Sequence, residues 1–234
     1  MKKKVIVGIV VLLGFYALFF IGVKLYYGES YTSLVSQLEG EVYYLKRVDG
    51  NLALFKSQAN MENEELLYSH AGKGDTGSGF NDNITDFHLD EETGVITFIA
   101  MYEGEWTEFE YNKGNVTRKG PEDEKDIIGP SYEEVIVKDT RAYIDQGSIY
   151  VTRNNETIRL KDVGSNYDQN YNTYLVLEIS PDGRYLIYCD SRNSIFRGIL
   201  DMFLPGKINN KYVIDLETKK VSTYIDTMDI VWIQ

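Results

Sequence analysis

Carboxylates are the commonest chemistry-bearing groups in this chain, with 36 Asp+Glu against 24 Lys+Arg and a net charge of −12. Two facing carboxylates can run glycoside hydrolysis, one as acid and the other as base or nucleophile. Glu103 with Glu105, and Glu133 with Glu134, are such neighbours. Among 36 acids, neighbours of this kind also arise by chance. Residues 81–86 (Asn-Asp-Asn-Ile-Thr-Asp) and Asp90-Glu91-Glu92 offer oxygens suited to calcium, but the spacing of a calcium-binding loop is missing. His70 and His88 are the only histidines and lie in no metal motif. Cys189 has no neighbouring base that would make it a nucleophile, so it reads as a small buried apolar residue. The run Gly72-Lys73-Gly74-Asp75-Thr76-Gly77-Ser78-Gly79 fails as a phosphate loop, because Lys73 is followed by Gly74 and no helix comes after it. These residues require no metal and no cofactor, and they form no recognisable catalytic set.

Binding chemistry has better candidates. Tyr167 and Tyr171 belong to the Tyr-rich stretch ending at Tyr174, whose rings suit stacking on a sugar or a peptide. Residues 194–204 place Ile195, Phe196, Ile199, Leu200, Phe203 and Leu204 on one side at helical spacing, before Pro205-Gly206 stops the run. That segment either covers a sheet edge or contacts a partner or the bilayer. Tyr167, Tyr171, Phe196 and Phe203 are therefore the candidate contact residues. Asn83, Asn115 and Asn155 begin glycosylation sequons, which matter only in a host that glycosylates. The acidic balance excludes nucleic acid as a partner, since phosphate recognition needs clustered cations. The single Cys excludes an internal disulfide.

Position in the cell is readable at the N-terminus. Residues 5–23 carry no charge and follow Lys2, Lys3 and Lys4. As a helix rising about 1.5 Å per residue, the run matches a hydrocarbon core of about 30 Å. The three lysines predict a cytoplasmic N-terminus. A cleaved signal peptide is the alternative, but its apolar core is usually about 7–15 residues and a small-x-small site follows. The expected organisation is a cytoplasmic tip and signal anchor over 1–28, then an extracytoplasmic domain over 29–234, in a single-pass cell-membrane protein.

Beyond the anchor the period changes from helical to alternating. Short β-rich runs are joined by Asp49-Gly50-Asn51, Glu103-Gly104-Glu105, Asn112-Lys113-Gly114-Asn115, Asp145-Gln146-Gly147, Arg153-Asn154-Asn155, Ser180-Pro181-Asp182-Gly183 and Glu217-Thr218-Lys219. Strands of about five residues with turns between them and no long helical pattern predict an antiparallel all-β domain. The chain also repeats. Residues 84–119 and 174–225 share one order of strands and turns, and 38–67 and 135–163 follow it more loosely. Four units of about 45–50 residues, each of four strands, predict a β-propeller-like domain, as four blades or an incomplete ring.

Ile179-Ser180-Pro181-Asp182-Gly183-Arg184-Tyr185-Leu186-Ile187-Tyr188 resembles the Ser-Pro-Asp-Gly turn and second strand of TolB-type β-propeller repeats. Lys211 to Val221 resembles the third strand, turn and fourth strand of the same blade. Asp229 to Gln234 resembles the first strand of another blade, and in a closed ring it would pair with the first unit. The resemblance covers about 60 residues well and implies a propeller whose rim loops bind. The expected function is a non-catalytic, membrane-anchored binding or scaffolding module whose partner is a cell-envelope protein or glycan. The alternatives are an envelope hydrolase using acidic residues, and a sensor acting through a membrane partner.

Overall fold

Five two-residue turns establish the strand pattern. Asp49-Gly50, Glu103-Gly104, Lys113-Gly114, Gln146-Gly147 and Asn154-Asn155 all have positive φ at both central residues. This is the geometry whose twist matches a pair of antiparallel strands. The computed structural model describes residue 14 and residues 34–72, 82–121, 133–165, 168, 172–192, 210–227 and 229–234. Residues 5–23 lie outside these apart from Gly14, as do Tyr167, Tyr171, Phe196, Phe203 and the stretch 194–204. Among the described residues no helix is long and apolar enough to cross a membrane.

The described chain is all-β, in four antiparallel four-stranded sheets, a propeller-like arrangement. After a 3-10 turn at Val35–Gln37 come β1 (Glu41–Val48), β2 (Asn51–Gln58) and β3 (Glu65–Tyr68). Sheet 2 holds β4 (Ile84–Leu89), β5 (Ile96–Tyr102), β6 (Glu105–Asn112) and β7 (Asn115–Pro121). Sheet 3 holds β8 (Glu134–Val137), β9 (Thr140–Asp145), β10 (Ser148–Arg153) and β11 (Glu156–Lys161). Sheet 4 holds β12 (Tyr174–Ile179), β13 (Tyr185–Asp190), β14 (Lys211–Asp215) and β15 (Val221–Thr223).

The last strand, β16 (Ile230–Ile233), completes sheet 1 by pairing antiparallel with β1, Val42 opposite Trp232 and Tyr44 opposite Ile230. The terminal strand thus joins the first unit, as its sequence suggested. Sheet 1 combines three early strands with one late strand, which protects an edge that would otherwise offer unpaired backbone groups.

Packing explains the apolar pattern. One core cluster joins sheets 1 and 4 through Val42, Tyr44, Ile230 and Trp232 against Tyr185, Ile187 and Val213. A second joins sheets 3 and 4 through Ile149 and Val151 against Val176, Leu186 and Tyr188. A third joins sheets 1 and 2 through Leu45 and Leu54 against Ile84, Phe98 and Phe109. No core cluster among the described residues joins sheets 2 and 3. Sheet 4 lies between sheets 1 and 3, so β13 sends Tyr185 and Ile187 one way and Leu186 and Tyr188 the other. That is why its sequence is an unbroken apolar run. The β6 strand has one face on the core, so Thr107 and Phe109 are buried while the alternating Glu108 and Glu110 are only half-buried.

Candidate binding cleft

The Ser180-Pro181-Asp182-Gly183 turn is held by its own side chains. Ser180 Oγ accepts from the Tyr185 amide at 2.8 Å, and Asp182 Oδ1 accepts from the Arg184 amide at 3.0 Å. Gly183 has φ +78, and a Cβ there would stand 2.9 Å from Thr140 Oγ1. Thr140 donates to the Gly183 carbonyl at 3.3 Å, which docks the turn of sheet 4 on sheet 3.

Beside this turn, where the closing strand meets the segment before β1, lies a cleft of about 330 Å³. Its walls include Gln37, Glu39, Asp182, Arg184, Trp232 and Gln234. The buried Trp232 indole donates to the Glu39 carbonyl at 2.9 Å and stacks on Tyr185 with centroids 6.4 Å apart. Close approach fixes this corner: Gly40 has φ +95, and a Cβ there would lie 2.3 Å from the Ile233 carbonyl oxygen. Arg184 lies over the Tyr185 ring at 5.0 Å and donates to Asp215 at 2.8 Å. Burial alone would raise the Asp215 carboxyl. The Arg184 guanidinium and the amides of Thr218 and Glu217 outweigh it and bring it down to about 2. The cleft therefore offers amide, carboxylate and guanidinium groups on a rigid aromatic floor. Ser180 and Asp182 both line it, and the Ser180 hydroxyl donates to Asp182 Oδ1 while accepting from the Tyr185 amide, so this hydroxyl–carboxylate pair is engaged in holding the turn.

Three other carboxylates have pKa values displaced upward. Burial pushes Glu178 on β12 up to about 7, with the nearby charges of Asp229 and Glu91 adding to it. The amides of Ile179 and Trp232 donate to Glu178 and oppose the rise. Burial and the Asp86 charge likewise push Asp229 up to about 7, against donation from the Ile230 and Phe87 amides. Asp86 is raised by burial, against the Phe87 amide and the His88 charge. Glu178 and Asp229 thus bridge first strands of neighbouring sheets, accepting from amides that no neighbouring strand pairs. Asp86 lines a separate pocket of about 230 Å³ with His88 and Glu108.

The residues singled out from the sequence fall in varied places. Tyr167, Tyr171, Phe196 and Phe203 lie outside the described residues. Asp86 lies on a strand rather than in a calcium loop, Asn83 Oδ1 accepts from the Leu52 amide, and Asp82 accepts from the Gly72 amide. No metal-holding group of three or more His, Cys, Asp or Glu occurs among the described residues. Buried His70 donates through Nε2 to the Met101 carbonyl at 2.7 Å and packs on Phe109, while His88 is exposed. Cys189 is buried, and Glu134 pairs with Arg141. Sequence reasoning passed over Glu178 and Asp229. The available signal was a single carboxylate inside Tyr-Leu-Val-Leu-Glu-Ile, and another abutting Ile-Val-Trp-Ile.

No protein-family model matches the chain, and no curated protein sequence matches it. Among solved structures it is similar to TolB from Acinetobacter baumannii, with 12% identity over 79% of this chain and 41% of that one, at a TM-score of 0.27. The AtxE2 isopeptidase gives 10% identity over 80% of this chain and 38% of that one, with a TM-score of 0.30. A putative 6-phosphogluconolactonase from Bacteroides fragilis gives 12% identity, 85% and 56% coverage, and a TM-score of 0.23. The chain spans less than two thirds of the length of each of these three. The sheet topology alone carries the propeller-like description.

Proposed function

We propose that this chain is a non-catalytic binding module of the TolB-like propeller type, held at the outer face of a cell membrane by residues 5–23. The observation that supports it is the cleft between sheets 1 and 4. It is preformed, its floor is locked by Trp232 and Tyr185, and its walls are polar. Such a site suits a polar, extended ligand, a peptide or glycan segment of the cell envelope, held by hydrogen bonds along its length. The uncharged run after three lysines supports the anchored placement.

A photo-crosslinking residue placed at Gln37 in the full chain, in native membranes, tests this. A discrete envelope adduct from position 37 and none from the exposed Thr117 on β7 is expected. The same adducts from both positions would sink the cleft as the binding surface. The raised carboxylates favour a second reading, an envelope hydrolase centred on Asp86 with Asp229 and Glu178. Release of soluble fragments from purified envelope material, lost in Asp86→Asn, would support that reading over the first.

A further inference from the structure

Two cations come together at the seam of sheets 3 and 4, in a strongly acidic chain. Lys161, at the end of β11, has its ammonium 5.4 Å from the centre of the Tyr188 ring. Arg192, just beyond β13, stands over the Tyr174 ring at 4.6 Å. The two rings meet edge-on, with centroids 6.0 Å apart. Asp190 engages Arg192 through two hydrogen bonds of 2.9 Å each. Asp162, the next acid along, pairs with Arg159 at 3.1 Å. Lys161, Asp190 and Arg192 together therefore carry one net positive charge.

In return for its burial Lys161 has the Tyr188 ring face and the charge of Asp190, but no hydrogen bond among the described residues. It is half-buried, and no hydrogen-bond acceptor lies within reach of its ammonium among the described residues. Desolvation lowers its pKa, with the Asp190 charge opposing and the Arg192 charge adding to the fall. The hydroxyls of Tyr174 and Tyr188 also lack a hydrogen-bond partner among the described residues, and neither is sealed from solvent. Donors that are desolvated and lack an acceptor are costly unless something else answers them.

We propose that Lys161, Arg192 and the hydroxyls of Tyr174 and Tyr188 form an anion-binding site that takes an oxyanion, a phosphate or carboxylate group carried by a larger ligand. The site is independent of the cleft between sheets 1 and 4. The ammonium and the two hydroxyls donate to the oxyanion, and Asp190 fixes the Arg192 guanidinium beside it. A chain of net charge −12 repels anions over much of its surface, which favours this cationic seat over nonspecific contact.

The test titrates the full chain in nonionic detergent with inorganic phosphate and, separately, with succinate, reading tyrosine fluorescence and the unfolding midpoint. Saturable binding that weakens with added salt is expected, and preference between the two anions tells a phosphate ligand from a carboxylate one. Lys161→Met should weaken binding about tenfold or more, while Lys161→Arg retains most of it. Lys161→Met should also unfold at the same temperature or higher, because the fold no longer desolvates an unanswered ammonium. No saturable binding of either anion would overturn the proposal. So would unchanged affinity in Lys161→Met, or a lower unfolding temperature in that variant, which would make Lys161 a structural residue.

Discussion

Replacing Glu178 by Gln should remove most of the pH dependence of stability near neutrality. Burial holds Glu178 up to about 7, against an ordinary value of 4.5. The folded protein therefore binds this proton more tightly than the unfolded chain does. The resulting stability is full below about pH 4.5 and is lost as pH rises through 7. At about 1.4 kcal/mol per pH unit, the gap corresponds to roughly 3 kcal/mol between pH 4.5 and 8. Glutamine keeps a carbonyl oxygen for the amides of Ile179 and Trp232, so it mimics the protonated acid. The variant should match the wild type at pH 5 and exceed it at pH 8 by up to about 3 kcal/mol. For a chain of this size that is roughly 6–12 °C in unfolding midpoint. Asp229, also held at about 7 and coupled to Glu178 by charge, titrates with it as a pair. Glu178→Gln with Asp229→Asn should be flatter still. Melts and urea titrations of the full chain at pH 5, 6.5 and 8 measure this. A variant as pH-dependent as the wild type, or less stable at pH 8, would refute the reasoning.

Other perturbations probe the same seam and its supports. Gly40→Ala places a Cβ against the Ile233 carbonyl oxygen at a backbone angle that favours Gly, so it should cost about 2–4 kcal/mol and speed hydrogen exchange in β16 first. Asp215→Asn should cost about 1–2 kcal/mol at pH 7 and much less at pH 2, because the Asp215 contribution is fully present above its ordinary value of 3.8 and lost as pH falls through about 2. Denaturant midpoints at the two pH values check it. Tyr224→Phe removes a buried donor from the Ala59 carbonyl, 2.7 Å away, and should cost about 1–2 kcal/mol in urea unfolding with an unchanged m-value.

The strand pattern was legible because turn chemistry and alternation are local. Asn154-Asn155 and Gln146-Gly147 announce hairpins without reference to the rest of the chain, and the structure places tight turns at both. The pairing of β16 with β1 was legible for a different reason: a lone apolar strand after a complete unit has no partner nearby. The cleft was not legible, because its walls come from residues 37–40, 180–185 and 232–234, and only closure of sheet 1 brings these together. The Lys161 site was hidden in the same way, since Lys161, Tyr174, Tyr188 and Arg192 belong to no spaced motif. Composition offered carboxylate chemistry only as an alternative to binding. The most perturbed carboxylates accept from backbone amides, a role that neighbouring residue types do not reveal.

Closure and acid placement have one physical cause. A sheet that borrows its first strand from the far end of the chain leaves that strand's inner amides facing a neighbouring sheet rather than another strand. Glu178 answers the Trp232 amide on β16, and Asp229, at the start of β16, answers the Phe87 amide on β4. An apolar side chain would leave those donors short of an acceptor, and a water-filled gap would widen the seam. A carboxyl held near neutrality suits both demands: protonated, it is cheap to bury, and ionised, it is the stronger acceptor. The polar cleft lies on the same seam, along the same closing strand. Whatever occupies it meets Trp232 and Gln234 on one side and the Asp182 turn on the other. Its binding energy is then coupled to the pairing that closes sheet 1, so occupancy and closure reinforce each other.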